Sequence, residues 1–334
     1  VKVLFLFVGL NFFVTLISVV WKVYGQIRDR VDLTNLIEGI AGLIHLGLLI
    51  LMFWFLTPNI WYVGFSAFVP SLFILVVSIK QSYKLLPEIQ IRLKDISGSA
   101  FKTLVVKGIW NSIDGLGNTL NSGLDLLITD LMLSPIDMGK VSVAKSVSGI
   151  IPKFYSMISQ SFYPRVLNAY SNNNIEELIA QYKKSMRVCA ILTNTIFVCF
   201  IFLGIDFLNL WIPNQDVETI YVLTLLSIAP CIIEGATYPL YSAYMLTTKI
   251  MIPTVITIMS GLINVLSMYW LLKFTDCGVY AVVLTTAVIV TLVHFITPVY
   301  SCLCLKIKVT TFISTIIQVV VALGVSTAVL FLIN

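Results

Sequence analysis

The sequence predicts an all-α integral membrane protein, a polytopic helix bundle, and three observations predict it. Hydrophobic residues fill 58% of the 334 positions and charged residues only 11%, under half the roughly 25% of a soluble domain. The apolar runs are long enough to cross ~30 Å of hydrocarbon as helices, unlike the ten-residue alternating strands of an outer-membrane barrel. The basic residues collect in alternate loops. Mean hydropathy is +0.98.

About ten transmembrane helices follow in order: 3–20, 35–56, 61–79, 104–132, 138–164, 188–211, 217–246, 252–272, 278–300 and 310–333. The first has no charged residue and ends before Trp21 and Lys22. The second carries Asn35, Glu38 and His45 on one face and ends past Trp54. The third opens at Trp61 and stops at Lys80. The sixth ends at Trp211-Ile212-Pro213. In the seventh, Pro230 and Pro239 stand nine residues apart around Glu234 and Gly235, which predicts a kinked or broken helix of the kind that lines a cavity. The eighth carries Asn264 and Trp270, the ninth His294, Thr297 and Pro298, and the tenth has no charged residue. Trp21, Trp54, Trp61, Trp211 and Trp270 all fall at predicted interfaces, where an amphipathic ring is favoured.

The loop charges set the orientation. One side holds Lys22, Arg28, Arg30, Lys80, Lys84, Arg92, Lys94, Lys102, Arg165, Lys183, Lys184, Arg187, Lys249, Lys306 and Lys308; the other holds Lys2, Lys140, Lys145 and Lys273. The first side is therefore cytoplasmic and residue 1 lies outside. The chain opens with Val1 in one apolar run and closes at Asn334 in another. It reads as an internal stretch of a longer polytopic protein, with an odd number of spans before residue 1. Two longer cytoplasmic connections, 80–103 and 165–187, are expected to form surface-lying helices around Ile89–Ile96 and Glu176–Arg187. The second would be capped by the loop Asn172-Asn173-Asn174.

The net charge of +5 marks cytoplasmic loops rather than nucleic-acid affinity. The six cysteines show no metal spacing and no disulfide framework. Cys302 and Cys304 read as small core residues in preference to acylation sites. There is no Walker A sequence, Gly-rich dinucleotide turn, zinc spacing or Ser/His/Asp clustering. The reading is therefore no enzyme, no cofactor, no metal and no nucleic acid.

The span 104–132 carries Asn111, Asp114, Asn118, Asn121, Asp125 and Thr129 at steps of 3, 4, 3, 4 and 4, with Trp110 beside them. That spacing puts all six on one helical face. A central Asp alone costs about 2.5–3.5 kcal/mol on insertion scales, so the stripe is read as lining a cavity for something polar. The next span repeats the pattern with Ser142, Lys145, Gly149, Pro152, Lys153, Ser156 and Gln160. Asp125 and Lys145 each stand seven residues outward of their spans' midpoints, which makes them partners across the hairpin. Lys153 is level with Asn118 and has no carboxylate at its own depth there. It either faces the cavity unpaired or reaches Glu234, also near a midplane. His45 and His294 read as hydrogen-bonded packing residues and Asn264 as a tie between helices.

The stretch Lys107-Gly108-Ile109-Trp110-Asn111 through Asp125-Leu126-Leu127-Ile128 resembles the multidrug/oligosaccharidyl-lipid/polysaccharide exporter superfamily. More narrowly, it resembles the polysaccharide (O-antigen-type) flippases. Gly139 to Lys145, Ser161-Phe162-Tyr163-Pro164-Arg165, Glu176-Glu177 and Trp211-Ile212-Pro213 continue the match. The resemblance implies 13–14 helices in two pseudo-symmetric six-helix bundles around a central cavity. Residues 1–100 would close the first bundle and carry a cytoplasmic linker, 101–300 would be the second bundle, and 301–334 an extra helix.

The implied task is translocation of an undecaprenyl-pyrophosphate-linked oligosaccharide across the bacterial cytoplasmic membrane by alternating access, for O-antigen, capsule or exopolysaccharide. The lipid-linked oligosaccharide, membrane lipids and the polysaccharide polymerase machinery are the implied partners. Lys153 would contact the pyrophosphate and Asn111, Asn118 and Asn121 the sugars. Asp114 and Asp125 would fix the geometry or carry a coupling H+ or Na+. Trp110, Lys145, Gln160 and Glu234 complete the expected lining. A multidrug cation antiporter of the same superfamily is the alternative, with Asp114, Asp125 and Glu234 as cation carriers. A membrane-embedded envelope polymerase is the third class, and it would need a large outer loop.

Overall fold

A computed structural model describes residues 2–28, 30–88 and 97–333, and all its regular elements among those residues are helical. The chain divides into two compact units, Val1–Gly98 and Ser99–Asn334.

The first unit holds α1 (Lys2–Lys22), the short α2 (Tyr24–Ile27), α3 (Val31–Phe55) and α4 (Trp61–Leu85). Both α1 and α3 pack on α4. Gly64 lets α1 approach, since a Cβ there would sit 3.1 Å from Phe7 Cβ and 3.2 Å from Leu4 O. At the end with the predicted cytoplasmic loops, Tyr24, Ile37 and Leu86 form a small core. Around it, Arg28 donates to Leu85 O at 3.0 Å and pairs with Glu88, and Lys22 meets Glu38 at 2.7 Å. The predicted surface stretch Ile89–Ile96 lies outside the described residues.

The second unit begins with α5 (Gly98–Asn118), a π-helical segment Thr119–Gly123, and α6 (Asp125–Met132). This is the predicted span 104–132, extended at its start and interrupted in its middle. The interruption has a local cause. Gly115, Gly117, Asn118, Asn121, Ser122 and Gly123 are poor helix formers. Thr119 Oγ1 donates to Gly115 O at 2.9 Å, Asn121 Nδ2 to Gly117 O at 3.2 Å and Ser122 Oγ to Asn118 O at 3.0 Å. Side chains that back-bond to carbonyls four residues earlier compete with the ladder and bend it.

The next predicted span is also divided, into α7 (Pro135–Ser148) and α8 (Ile151–Ser171), with a turn at Gly149-Ile150. Ser134 caps α7 by accepting from Asp137 N at 3.1 Å, with Pro135 at the first helical position. The third interruption falls where the proline pair predicts one. α10 (Val217–Thr237) passes Pro230 without ending, then gives way to a 3-10 turn at Tyr238–Leu240 and α11 (Tyr241–Leu246).

Eight helices among the described residues are long and apolar enough to cross a membrane. They are α1, α3, α4, α9 (Ile175–Trp211), α10 with its continuation, α12 (Met251–Phe274), α13 (Val279–Leu305) and α14 (Thr310–Ile333). The remaining two predicted spans are the divided, polar pair α5–α6 and α7–α8.

The expected surface helix at 165–187 is corrected. α8 runs to Ser171, and α9 is continuous over 37 residues, about 55 Å at 1.5 Å per residue. Only Asn172-Asn173-Asn174 separates the two. Asn173 takes φ 54° and Asn174 caps α9 by accepting from Glu177 N at 3.1 Å. No Gly or Pro stands between Glu176 and Phe197 to stop the helix.

The core of this unit lies where α9 and α10 meet α7, α8, α13 and α14. Tyr155, Tyr182, Met186, Leu208, Ile220, Leu223 and Phe312 are fully buried there. α14 is tied to α9 by Asn194 Nδ2 to Val319 O at 3.1 Å. α13 ends in a left-handed cap at Lys306, with Ile307 N bonded to Cys302 O at 3.0 Å. Cys302 and Cys304 are buried, which agrees with a packing role.

Candidate functional site

The interruptions in α5–α6, α7–α8 and α10–α11 all border one cavity of about 650 Å³ inside the second unit. That is within the range of small-molecule pockets. Interrupted helices suit such a place, because side chains or ligands then take up the backbone groups that leave the ladder.

One wall is the polar stripe. Asp114, Asn118, Asn121, Ser122 and Asp125 line the cavity. Asp114 is half-buried and Asn118 exposed, and Asn118 Nδ2 donates to Asp114 Oδ2 at 3.0 Å. Asn121 is buried and turns toward α12, donating to Thr257 O at 3.0 Å and Ser260 Oγ at 2.9 Å. Its own carbonyl accepts from Asn264 Nδ2 at 2.8 Å. Two glycines permit that approach. A Cβ on Gly117 would sit 2.9 Å from Ile258 N, and one on Gly261 would sit 2.6 Å from Leu120 Cβ. Small residues of this kind let membrane helices touch backbone to backbone. Asn121 is therefore an interhelical tie as well as a lining residue, and Asn264 is the tie that its lone placement suggests.

Asp125 is completely buried and forms an ion pair with Lys145, whose side chain is 22% exposed. Lys145 also donates to Ser122 O in the π-helical segment. Thr286 donates to Asp125 Oδ2 at 3.2 Å and accepts from Asn264 at 3.2 Å. The depth match between Asp125 and Lys145 is thus a real contact.

The opposite wall comes from α10, α11 and α13. Glu234 lines it, together with Tyr238, Tyr241 and His294. Glu234 Oε2 faces His294 Nε2 at 3.7 Å, not Lys153. Tyr238 donates to Ser156 Oγ at 3.3 Å, and Ser156 Oγ also accepts from Gln160 Nε2 at 3.1 Å. The rings of Tyr238 and Tyr241 are 5.9 Å apart at 45°, and Tyr241 stands edge-on to His294 at 6.3 Å.

Of the ten expected lining residues, Asp114, Asn118, Asn121, Asp125, Lys145 and Glu234 border the cavity. Trp110 is half-buried on α5 and does not line it, and Gln160 is exposed on α8 outside it. The side chain of Asn111 lies outside the described residues. Lys153 is exposed and also outside the lining. Its neighbour Pro152 faces the cavity, and one step along a helix turns a side chain by about 100°. The phosphate contact expected of Lys153 is therefore not at this cavity. Tyr238, Tyr241, Thr286 and His294 enter the lining without having been assigned to it. Their signal was the prolines that open α10–α11, and polar residues at steps of 8 and 3 on α13, Thr286, His294 and Thr297. No cluster of three or more potential metal ligands exists among the described residues.

Comparison with known proteins agrees on fold and kinship. The sequence model of the polysaccharide biosynthesis protein family matches residues 2–170, half of the chain. The chain is 25% identical over 273 residues to the uncharacterized membrane protein EpsK of Bacillus subtilis strain 168, covering 81% of this chain and 54% of that protein. It thus spans about half the length of that relative. The structure is similar to a crystal structure of MATE in the bent conformation (TM-score 0.59, 14% identity, 88% of this chain, 62% of that one). It is also similar to the lipid II flippase MurJ in an inward closed conformation (TM-score 0.58, 14% identity, 96% of this chain, 67% of that one). At such identities the likeness shows the fold.

Proposed function

The chain belongs to the polysaccharide biosynthesis protein family, and from that premise we propose that this multi-pass membrane protein is a flippase for a lipid-linked oligosaccharide. The proposed cargo is a sugar repeat carried on undecaprenyl pyrophosphate, moved across the bacterial cytoplasmic membrane by a cavity open alternately to each side. One observation carries the reading: the stripe of Asp114, Asn118, Asn121 and Asp125 borders a cavity of about 650 Å³ inside the second unit. A pyrophosphate-sugar head group cannot cross hydrocarbon unaided, whereas the prenyl chain can stay in lipid. Amides and carboxylates on a cavity wall replace the hydration of sugar hydroxyls. The chemistry is translocation, with no bond made or broken.

The test is surface polysaccharide in cells whose only copy of the protein carries Asp114→Leu or Asn118→Leu. The expected result is loss of surface polysaccharide while the protein still reaches the membrane. Undiminished polysaccharide in both variants would remove the stripe from the site.

A second reading has its own supporting observation. Among the described residues, the lining carries the carboxylates of Asp114, Asp125 and Glu234 but the ammonium of Lys145 alone, a balance that also attracts cations. A multidrug cation antiporter would use it so. Efflux of a cationic dye from a drug-sensitive strain, with polysaccharide unaffected by the two variants, is the outcome that favours it.

A further inference from the structure

The cavity's charge balance says what part of the cargo it can hold, on the reading of a lipid-linked oligosaccharide. Lys145 is committed: its ammonium meets Asp125 and Ser122 O. His294, even when protonated, offsets only Glu234. Asp114 has the neutral amide of Asn118 as its neighbour, which donates to it at 3.0 Å. Among the described residues, no other Lys or Arg lines the cavity. The described lining therefore sets three carboxylates against one ammonium and one imidazole, and a phosphate or a carboxylate-bearing sugar would enter against like charge.

The other wall is aromatic. Tyr238 and Tyr241 both border the cavity and are partly exposed to it. Tyr238 is fixed through its hydroxyl to Ser156, and Tyr241 is set edge-on to His294. Rigid aromatic faces suit the apolar C–H face of a pyranose ring, while carboxylates and amide oxygens accept from its hydroxyls. His294, 6% exposed, has an Nδ1 without a hydrogen-bond partner among the described residues, and so does the Oδ1 of fully buried Asp125. Buried polar atoms left open in this way mark a site whose polar groups are not all satisfied by the protein itself.

We propose that this cavity holds an uncharged, hydroxyl-rich sugar of the cargo and selects against sugars bearing a carboxylate. Tyr238 and Tyr241 are its stacking platform, and Asp114, Asn118 and Glu234 accept from its hydroxyls. The pyrophosphate is contacted by residues outside this cavity.

The test uses the full-length protein in lipid nanodiscs and two probes that share one anchor. Both are undecaprenyl pyrophosphates carrying a disaccharide of N-acetylglucosamine, ending in glucose in one and glucuronic acid in the other. Because the pyrophosphate is common, the difference in affinity reads the sugar's charge alone. The expected result is binding of the glucose probe at least about tenfold tighter, with Asp114→Asn narrowing the gap. Tyr241→Ala weakens the glucose probe by about tenfold, on the scale of a lost stacking contact, and Tyr241→Phe recovers it. Equal or tighter binding of the glucuronic acid probe overturns the proposal and leaves the flippase reading standing. Failure of both probes to bind overturns the flippase reading itself. If Tyr241→Ala does not fold, the two-probe ratio on the unaltered protein and on Asp114→Asn still decides.

Discussion

Replacing Lys145 by Met removes the cation beside a completely buried carboxylate while keeping the length of the side chain. Asp125 has no exposed side-chain surface, and Lys145 has 22%. Removing one partner of a buried pair costs about 3–5 kcal/mol. Here the lower end applies, about 3 kcal/mol, because the ammonium side is partly wet and Thr286 still donates to Asp125 at 3.2 Å. Asp125→Asn leaves Lys145 its bond to Ser122 O and should cost less, about 1–2 kcal/mol. If the two side chains act as one unit, the double variant costs no more than Lys145→Met alone. The coupling energy is then about 1–2 kcal/mol, within the range of contacting pairs. The assay is equilibrium unfolding in mixed detergent micelles across the four members of the cycle. A cost under about 0.5 kcal/mol for Lys145→Met, or strictly additive single costs, would refute the reading of this ion pair as a tie between α6 and α7.

Gly261→Val should prevent α12 from seating on α5, because its Cβ meets Leu120 Cβ at 2.6 Å and Gly117 O at 2.9 Å; a loss of at least about 2 kcal/mol in the same assay is expected from overpacking. Asn121→Leu should cost about 1–2 kcal/mol, the upper range for interhelical hydrogen bonds in membranes, since it removes the donors to Thr257 and Ser260; an unchanged midpoint would refute its role as a tie. Cys277 is exposed in the loop between α12 and α13, which the loop charges place outside, so a membrane-impermeant maleimide should label it in intact cells; labelling only after lysis would reverse the orientation. Asp216, beside Lys140 at 2.7 Å and capping α10, has its carboxyl held from the usual 3.8 down to about 2. Because the folded value lies below the unfolded one, its stabilisation is present above about pH 4 and fades as pH falls toward 2; Asp216→Asn should flatten that part of the stability profile and leave pH 5–8 unchanged in slope.

Helical spacing made the stripe on α5–α6 legible, because residues three and four apart share a face whatever surrounds them. Rise per residue made the Asp125–Lys145 contact legible, because depth in a hairpin follows from counting. Counting gives no azimuth between distant helices. Lys153 and Glu234 share a depth, yet Glu234 faces His294, sixty residues away on α13. The π-helical segment at Thr119–Gly123 turns the stripe as it passes, so Asn121 reaches α12 while Asp114 and Asn118 keep each other company at the cavity. That rotation arises from glycines and back-bonding hydroxyls, which a face drawn on an ideal helix ignores. The continuous α9 was hidden for another reason. Its first turns, Ile175 to Arg187, are amphipathic and its later turns apolar, so a change in composition looks like a boundary although nothing there breaks the backbone.

The central claim is that the cavity bordered by Asp114, Asn118 and Glu234 handles the sugar head group during translocation. The most direct measurement is leaflet exchange of an undecaprenyl-pyrophosphate oligosaccharide, labelled on its sugar, in liposomes containing the full-length protein. The account predicts that the label reaches the opposite leaflet with the protein present, and that Asp114→Leu slows the exchange at least about tenfold, in the range of a lost hydrogen bond to a charged group. No exchange beyond that of empty liposomes, or exchange undiminished by Asp114→Leu, would contradict it.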